Sequence, residues 1–89
     1  MGKIDGKVAV VTGSSLSIGK AIAIGLAKEG ADLVLAARGR EGLEATAKEI
    51  EALGRKALVV PTDVMKEEDI KNLFKKAVEH YNRLDILVN

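Results

Sequence analysis

Apolar and polar positions along this chain fall into blocks of two kinds, and the two kinds alternate. Residues 8–11 (Val-Ala-Val-Val) form an unbroken apolar run of the sort expected in a strand covered on both faces. Residues 12–17 are small and mostly polar and read as a tight turn. A helix is predicted over 18–29, with Ile18, Ala21, Ile22, Gly25 and Leu26 inward, Lys20 and Lys28 outward, and Gly30 at the left-handed cap. Residues 32–37 (Asp-Leu-Val-Leu-Ala-Ala) give a second strand, and Arg38-Gly39-Arg40 breaks it. A helix over 41–53 follows, with Leu43, Ala47 and Ile50 on one face and Gly54 beyond its end. The third strand covers 56–60 and is stopped by Pro61, which has no N–H to give a ladder. Asp63-Val64 leads into the most clearly amphipathic segment, 66–81. There Ile70, Leu73, Phe74, Ala77, Val78 and Tyr81 point inward, while Lys66, Glu67, Asp69, Lys71, Lys75 and Glu79 face water. Asn82 suits a left-handed cap, and 84–88 (Leu-Asp-Ile-Leu-Val) supply a fourth strand.

The resulting β-α-β-α-β-α-β order predicts an α/β fold with a parallel sheet and right-handed crossovers. If strands two and three step outward from strand one, their helices share a face. A third helix that returns the chain to the far side of strand one must lie on the other face. The expected strand order is therefore 3-2-1-4, a Rossmann-like half that stops after its fourth strand, with residues 1–89 as one partial nucleotide-binding domain. The strand order reverses between strands one and four, and the turn at 12–19 sits at that crevice.

Composition narrows the partners. The 14 Lys and Arg nearly cancel the 13 Asp and Glu, so no strong field recruits nucleic acid or an anionic membrane. With no cysteine there is no disulfide framework, thiol nucleophile or Cys-ligated zinc. The first apolar run is too short for a signal peptide or a membrane span, and Gly6 occupies the place where a myristoylation motif needs Ser or Thr. A cytoplasmic protein is expected. At 89 residues the chain buries only about 60–65% of its unfolded surface, so its core is small.

A phosphate needs donors that approach closely. Gly13 permits a tight turn, Ser14 and Ser15 carry hydroxyls, and the N-terminus of the first helix adds unpaired N–H groups and a favourable dipole. Taken alone, such a turn equally well just joins a strand to a helix. The run Thr12-Gly13-x-x-x-Ser17-Ile18-Gly19, however, resembles the Thr-Gly-x-x-x-Gly-x-Gly loop of the short-chain dehydrogenase/reductase family. Asp63-Val64 and Asp85-Ile-Leu-Val-Asn89 resemble that family's adenine-binding Asp and the start of its Asn-Asn-Ala-Gly motif. The resemblance spans the whole chain but only the opening third or so of a family member.

The resemblance implies that Gly13, Ser14, Ser15, Ser17, Ile18 and Gly19 hold a pyrophosphate and its ribose. It further implies that Asp63 accepts from the adenine amino group, that Val64 touches the ring, and that Asn89 lies near the cofactor. Without the resemblance, Asp63 reads as a turn or helix-capping carboxylate. Ser17 departs from the family glycine, and its side chain either crowds the pyrophosphate or adds a donor. At the end of the second strand NAD-using members carry an acid for the ribose hydroxyls, whereas this chain has Ala37 followed by Arg38 and then Arg40. A guanidinium suits a 2′-phosphate, so NADP(H) is the expected cofactor.

No catalytic residue is identified. The family's active site uses a Ser and a Tyr-x-x-x-Lys pair; here the only tyrosine, Tyr81, has Asp85 where that lysine belongs and reads as the end of the inward helical stripe. His80 reads as a solvated side chain, and no metal-ligand pattern is present. The function expected for the parent protein is NADP-dependent hydride transfer to or from a small carbonyl or alcohol substrate. The alternatives are a non-catalytic nucleotide-binding module and an engineered or minimal structural α/β fragment. The outer edge of the fourth strand is expected to need a second copy of the chain or a missing C-terminal part.

Overall fold

The computed structural model describes residues 4–13 and 17–88, with the side chain of Ser17 also outside the description. Seven elements follow in strict alternation. They are β1 (Val8–Thr12), α1 (Ser17–Lys28), β2 (Asp32–Ala37), α2 (Arg40–Ala52), β3 (Ala57–Pro61), α3 (Glu67–Tyr81) and β4 (Ile86–Val88). All strand pairings are parallel and the order is β3-β2-β1-β4, as the crossover argument required.

Alternate residues of each strand feed two separate cores. Ala9, Val11, Leu33 and Leu35 pack under α1 and α2 with Ala23, Ala27, Leu43, Ala47 and Ile50. Val8, Val10, Val34, Ala36 and Val60 pack under α3 with Leu73 and Ala77. β1 and β2 are thus buried on both faces, which is why they read as unbroken apolar runs. Each Leu or Val sealed in this way contributes about 1.5–3 kcal/mol. The paired helices share one face and α3 lies alone on the other.

Two helical faces differ from expectation. In α1 the buried residues are Ala23 and Ala27, while Ile18 is 76% and Ile22 37% exposed. Isoleucine, alanine, glycine and leucine go nearly all the way round this helix, so periodicity did not select the face; close approach to the sheet selected the alanines. On α3, Leu73 and Ala77 are buried as predicted, but Val78 is 48% exposed. A single helix cannot cover its whole sheet face, and Ile70, Phe74 and Tyr81 are only half-buried.

Strand ends also shift for identifiable reasons. Pro61 belongs to β3, opposite Ala37, because an edge strand tolerates a residue without an N–H. β4 begins at Ile86, two residues later than predicted, because a side chain takes the place of its first backbone rung. Asn82 closes α3 in the left-handed region at φ 61°, with its N–H donating to the Val78 carbonyl at 2.7 Å. Gly30, at φ +104°, is closely packed: a Cβ there would lie 2.8 Å from the Asp5 Cα, and its carbonyl accepts from Gly6 N–H at 3.2 Å. That contact docks the N-terminal turn against the end of α1.

Candidate functional site

In a parallel sheet all C-terminal strand ends face one way, and the segments leaving β1, β2 and β3 carry the site residues expected from sequence. At the end of β1 the Thr12 hydroxyl donates to the Val88 carbonyl at 3.3 Å, tying β1 to β4 beside the reversal. Gly13 follows at φ +67° with open space where a Cβ would lie, so conformation rather than crowding selects glycine. Ile18 and Gly19 stand in the first turn of α1. That turn contains no acidic side chain, whereas α2 begins with Glu41 and α3 with Glu67, Glu68 and Asp69. The positive end of the α1 dipole is therefore not answered by an acid of its own first turn.

Arg38 and Asp63 follow β2 and β3 and are brought together. The Ala37–Pro61 register and a 2.7 Å bond from Thr62 N–H to the Ala37 carbonyl align the two loops. Arg38 Nε then lies 4.0 Å from Asp63 Oδ2, with side chains 81% and 20% exposed. Asp63 also acts as the turn residue that its sequence position suggested. Its Oδ1 accepts from Met65 N–H and its own N–H donates to Asp69 Oδ2, both at 2.9 Å. Arg40 instead pairs along its own helix with Glu44 at 3.3 Å. Val64 lines an apolar cleft of about 370 Å³ together with Thr12, Ile70, Leu73, Phe74 and Leu87. Ser14, Ser15 and Asn89 lie outside the described residues, as does the Ser17 side chain.

Tyr81 is engaged by the protein's own backbone. Its hydroxyl donates to the Leu33 carbonyl at 3.1 Å, and burial, helped by the negative charges of Asp32 and Glu51, pushes its pKa up to about 12. Proton exchange near neutrality calls for the opposite shift. His80 packs edge-on against it, with ring centroids 4.6 Å apart. Among the described residues no three His, Cys, Asp or Glu side chains gather to hold a metal.

Sequence reasoning missed the role of Asp85. Its Oδ2 accepts the Val8 N–H at 2.9 Å, while its own N–H donates to the Val8 carbonyl at 2.9 Å. Arg83 backs the carboxylate with two bonds of 2.7 and 2.9 Å. The available signal was an Arg-x-Asp triplet immediately before an apolar run.

Comparison with known proteins fits this architecture. The model of the short chain dehydrogenase family matches residues 7–89, and the chain belongs to that family. An uncharacterised oxidoreductase of Methylorubrum extorquens is 47% identical over 90 residues, which cover 100% of this chain and 36% of that protein. A glycine betaine reductase of Emericella nidulans is 44% identical over 98% of this chain and 7% of its own length. Among solved structures, a hydroxysteroid dehydrogenase from Escherichia coli superposes with a TM-score of 0.94 at 35% identity, covering 97% of this chain and 37% of that one. An NAD+-bound xylitol dehydrogenase gives 0.93 at 34% identity, covering 96% and 33%. The chain thus spans 36% and 7% of those two relatives and 37% and 33% of those two solved chains.

Arg83 and the Val8 N–H hold the Asp85 carboxyl below its usual range. A depressed folded pKa stabilises above the unfolded value, about 4, and that contribution is lost as pH falls through the folded value. Asp85→Asn removes the titrating charge. The variant is expected to show lower amide protection for Val10 and Val88 at pH 7, and a smaller further loss as pH falls below about 4. Equal protection factors in both proteins across that range would contradict the assignment.

Proposed function

We propose that this chain is the cofactor-binding part of an NADP-dependent short-chain dehydrogenase, an oxidoreductase that moves hydride between a nicotinamide and a carbonyl or alcohol carbon of a small molecule. The family works with a nicotinamide cofactor, and the residues at the sheet's reversal fit one. Gly13, Ile18 and Gly19, with Ser14, Ser15 and Ser17, would hold the pyrophosphate against the α1 N-terminus. Asp63 would accept from the adenine amino group, Val64 would lie against the ring, and Asn89 would lie near the cofactor. When bound, the group supplies the hydride chemistry; these residues bind and orient it.

The observation that carries the choice of NADP is the end of β2. Ala37 offers no acid for a ribose diol, and the next side chain is the strongly exposed guanidinium of Arg38. A backbone of this kind carries NAD+ in the xylitol dehydrogenase, so the strands alone do not separate the two cofactors. The side chains after β2 favour NADP. The same reading takes the protein to be cytoplasmic, with neither nucleic acid nor membrane as a partner, in keeping with its net charge of +1. No helix among the described residues is long and apolar enough to cross a membrane.

β4 has a neighbour on one side only among the described residues, and Leu87 is 48% exposed beside the apolar cleft. The reading gives that edge to a further strand, supplied by a longer chain or by a second copy.

Two measurements test these statements. Arg38→Ala is expected to weaken NADPH binding by roughly 10- to 100-fold, the loss of one charged hydrogen-bonding group, and to leave NADH nearly unchanged. Equal losses for both would overturn the NADP assignment. Sedimentation of the 89-residue chain is expected to show self-association; a monomer with well-protected β4 amides would contradict the role given to its edge.

A further inference from the structure

We infer that Asp63 is a specificity-determining residue, one that competes with the 2′-phosphate for Arg38 and so limits how strongly a 2′-phosphorylated adenosine nucleotide is preferred. This rests on the assignment of Arg38 made above. The two side chains are unequal partners. Asp63 is pinned from several sides: Oδ1 accepts Met65 N–H, its N–H reaches Asp69 Oδ2, and its carbonyl accepts Lys66 N–H, each at 2.9 Å. Its remaining oxygen, Oδ2, faces Arg38 Nε at 4.0 Å. The guanidinium itself is 81% exposed, so the fixed carboxylate biases where a long, solvated side chain points.

An incoming phosphate must take this guanidinium away from Asp63 or share it. A carboxylate and a phosphate use the same fork of donors, so engagement with one costs engagement with the other. The residue that the adenine amino group would meet is therefore also the one that tempers recognition two bonds beyond the ribose ring. The separation of 4.0 Å and the exposure of Arg38 keep the effect in the range of a surface ion pair.

The test is a double-mutant cycle on the full 89-residue chain, read as the ratio of the dissociation constants for 5′-AMP and 2′,5′-ADP. Asn at position 63 keeps an acceptor for Met65 N–H and removes the charge, and the amide spectrum checks that the fold is retained. Asp63→Asn is expected to raise the preference for 2′,5′-ADP by about two- to fivefold, the size of an exposed pair's coupling. In an Arg38→Ala background the same change is expected to leave the ratio unaltered. An unchanged or lower preference in Asp63→Asn, or an equal rise with and without Arg38, overturns the inference while leaving the NADP reading standing. If Arg38→Ala itself leaves the ratio unmoved, the NADP reading falls and this inference with it. If neither nucleotide binds at millimolar concentration, both are overturned.

Discussion

The pairing of Val8 with Asp85 is the contact on which the rest of the arrangement depends. A crevice forms at the end of β1 only if β1 has a parallel neighbour on the side away from β2, and β4 is three residues long. Three residues supply few rungs. The exchange of Val8 N–H to the carboxylate and Asp85 N–H to the carbonyl adds a rung before the strand begins, and Thr12 adds one at its far end. Removing the carboxylate would leave the Val8 N–H without that acceptor, and an unmatched buried donor costs more than an ordinary hydrogen bond contributes.

The other outer pairing starts in the same way. Asp32 Oδ1 accepts the Lys56 N–H at 3.0 Å and is backed by Arg55 at 3.2 and 3.3 Å, while Leu33 N–H donates to the Lys56 carbonyl at 2.8 Å. Each outer strand is thus stapled to its inner neighbour by an aspartate at the N-terminal end of the sheet, with an arginine behind it. Both carboxylates that carry this structural work lie at the opposite edge from Gly13, Arg38 and Asp63. The stabilising carboxylates and the proposed recognition residues are separated along the strand axis. The C-terminal edge is left with a glycine turn, a helix start without an acid and exposed side chains.

Most of this architecture was legible in the order of apolar blocks. β1 announced burial on both faces, and the handedness of crossovers put β4 beside β1. The faces of α1 were not legible, because a helix apolar nearly all round carries no directional signal; Ile18 and Ile22 turned outward where Ala23 and Ala27 turned in. The start of β4 was misplaced because Asp85 replaces a backbone group with a side chain, which a pattern of apolar residues does not record. At the site, the resemblance picked out Gly13, Arg38 and Asp63 singly. Their mutual arrangement, with Arg38 facing Asp63 and Asp63 tied to Met65 and Asp69, depends on the β2–β3 register and required the structure.

A dinucleotide is proposed to bind at the C-terminal edge of this sheet, where the strand order reverses. Amide chemical-shift mapping of the 89-residue chain during an NADPH titration tests it most directly. The largest shifts are expected at Gly13, Ile18, Gly19, Arg38, Asp63 and Val64, with Asp32, Arg55, Arg83 and Asp85 at the other edge undisturbed. Shifts gathered at that other edge, or in the groove between α2 and β3 lined by Glu44, Lys48 and Val59, would contradict it.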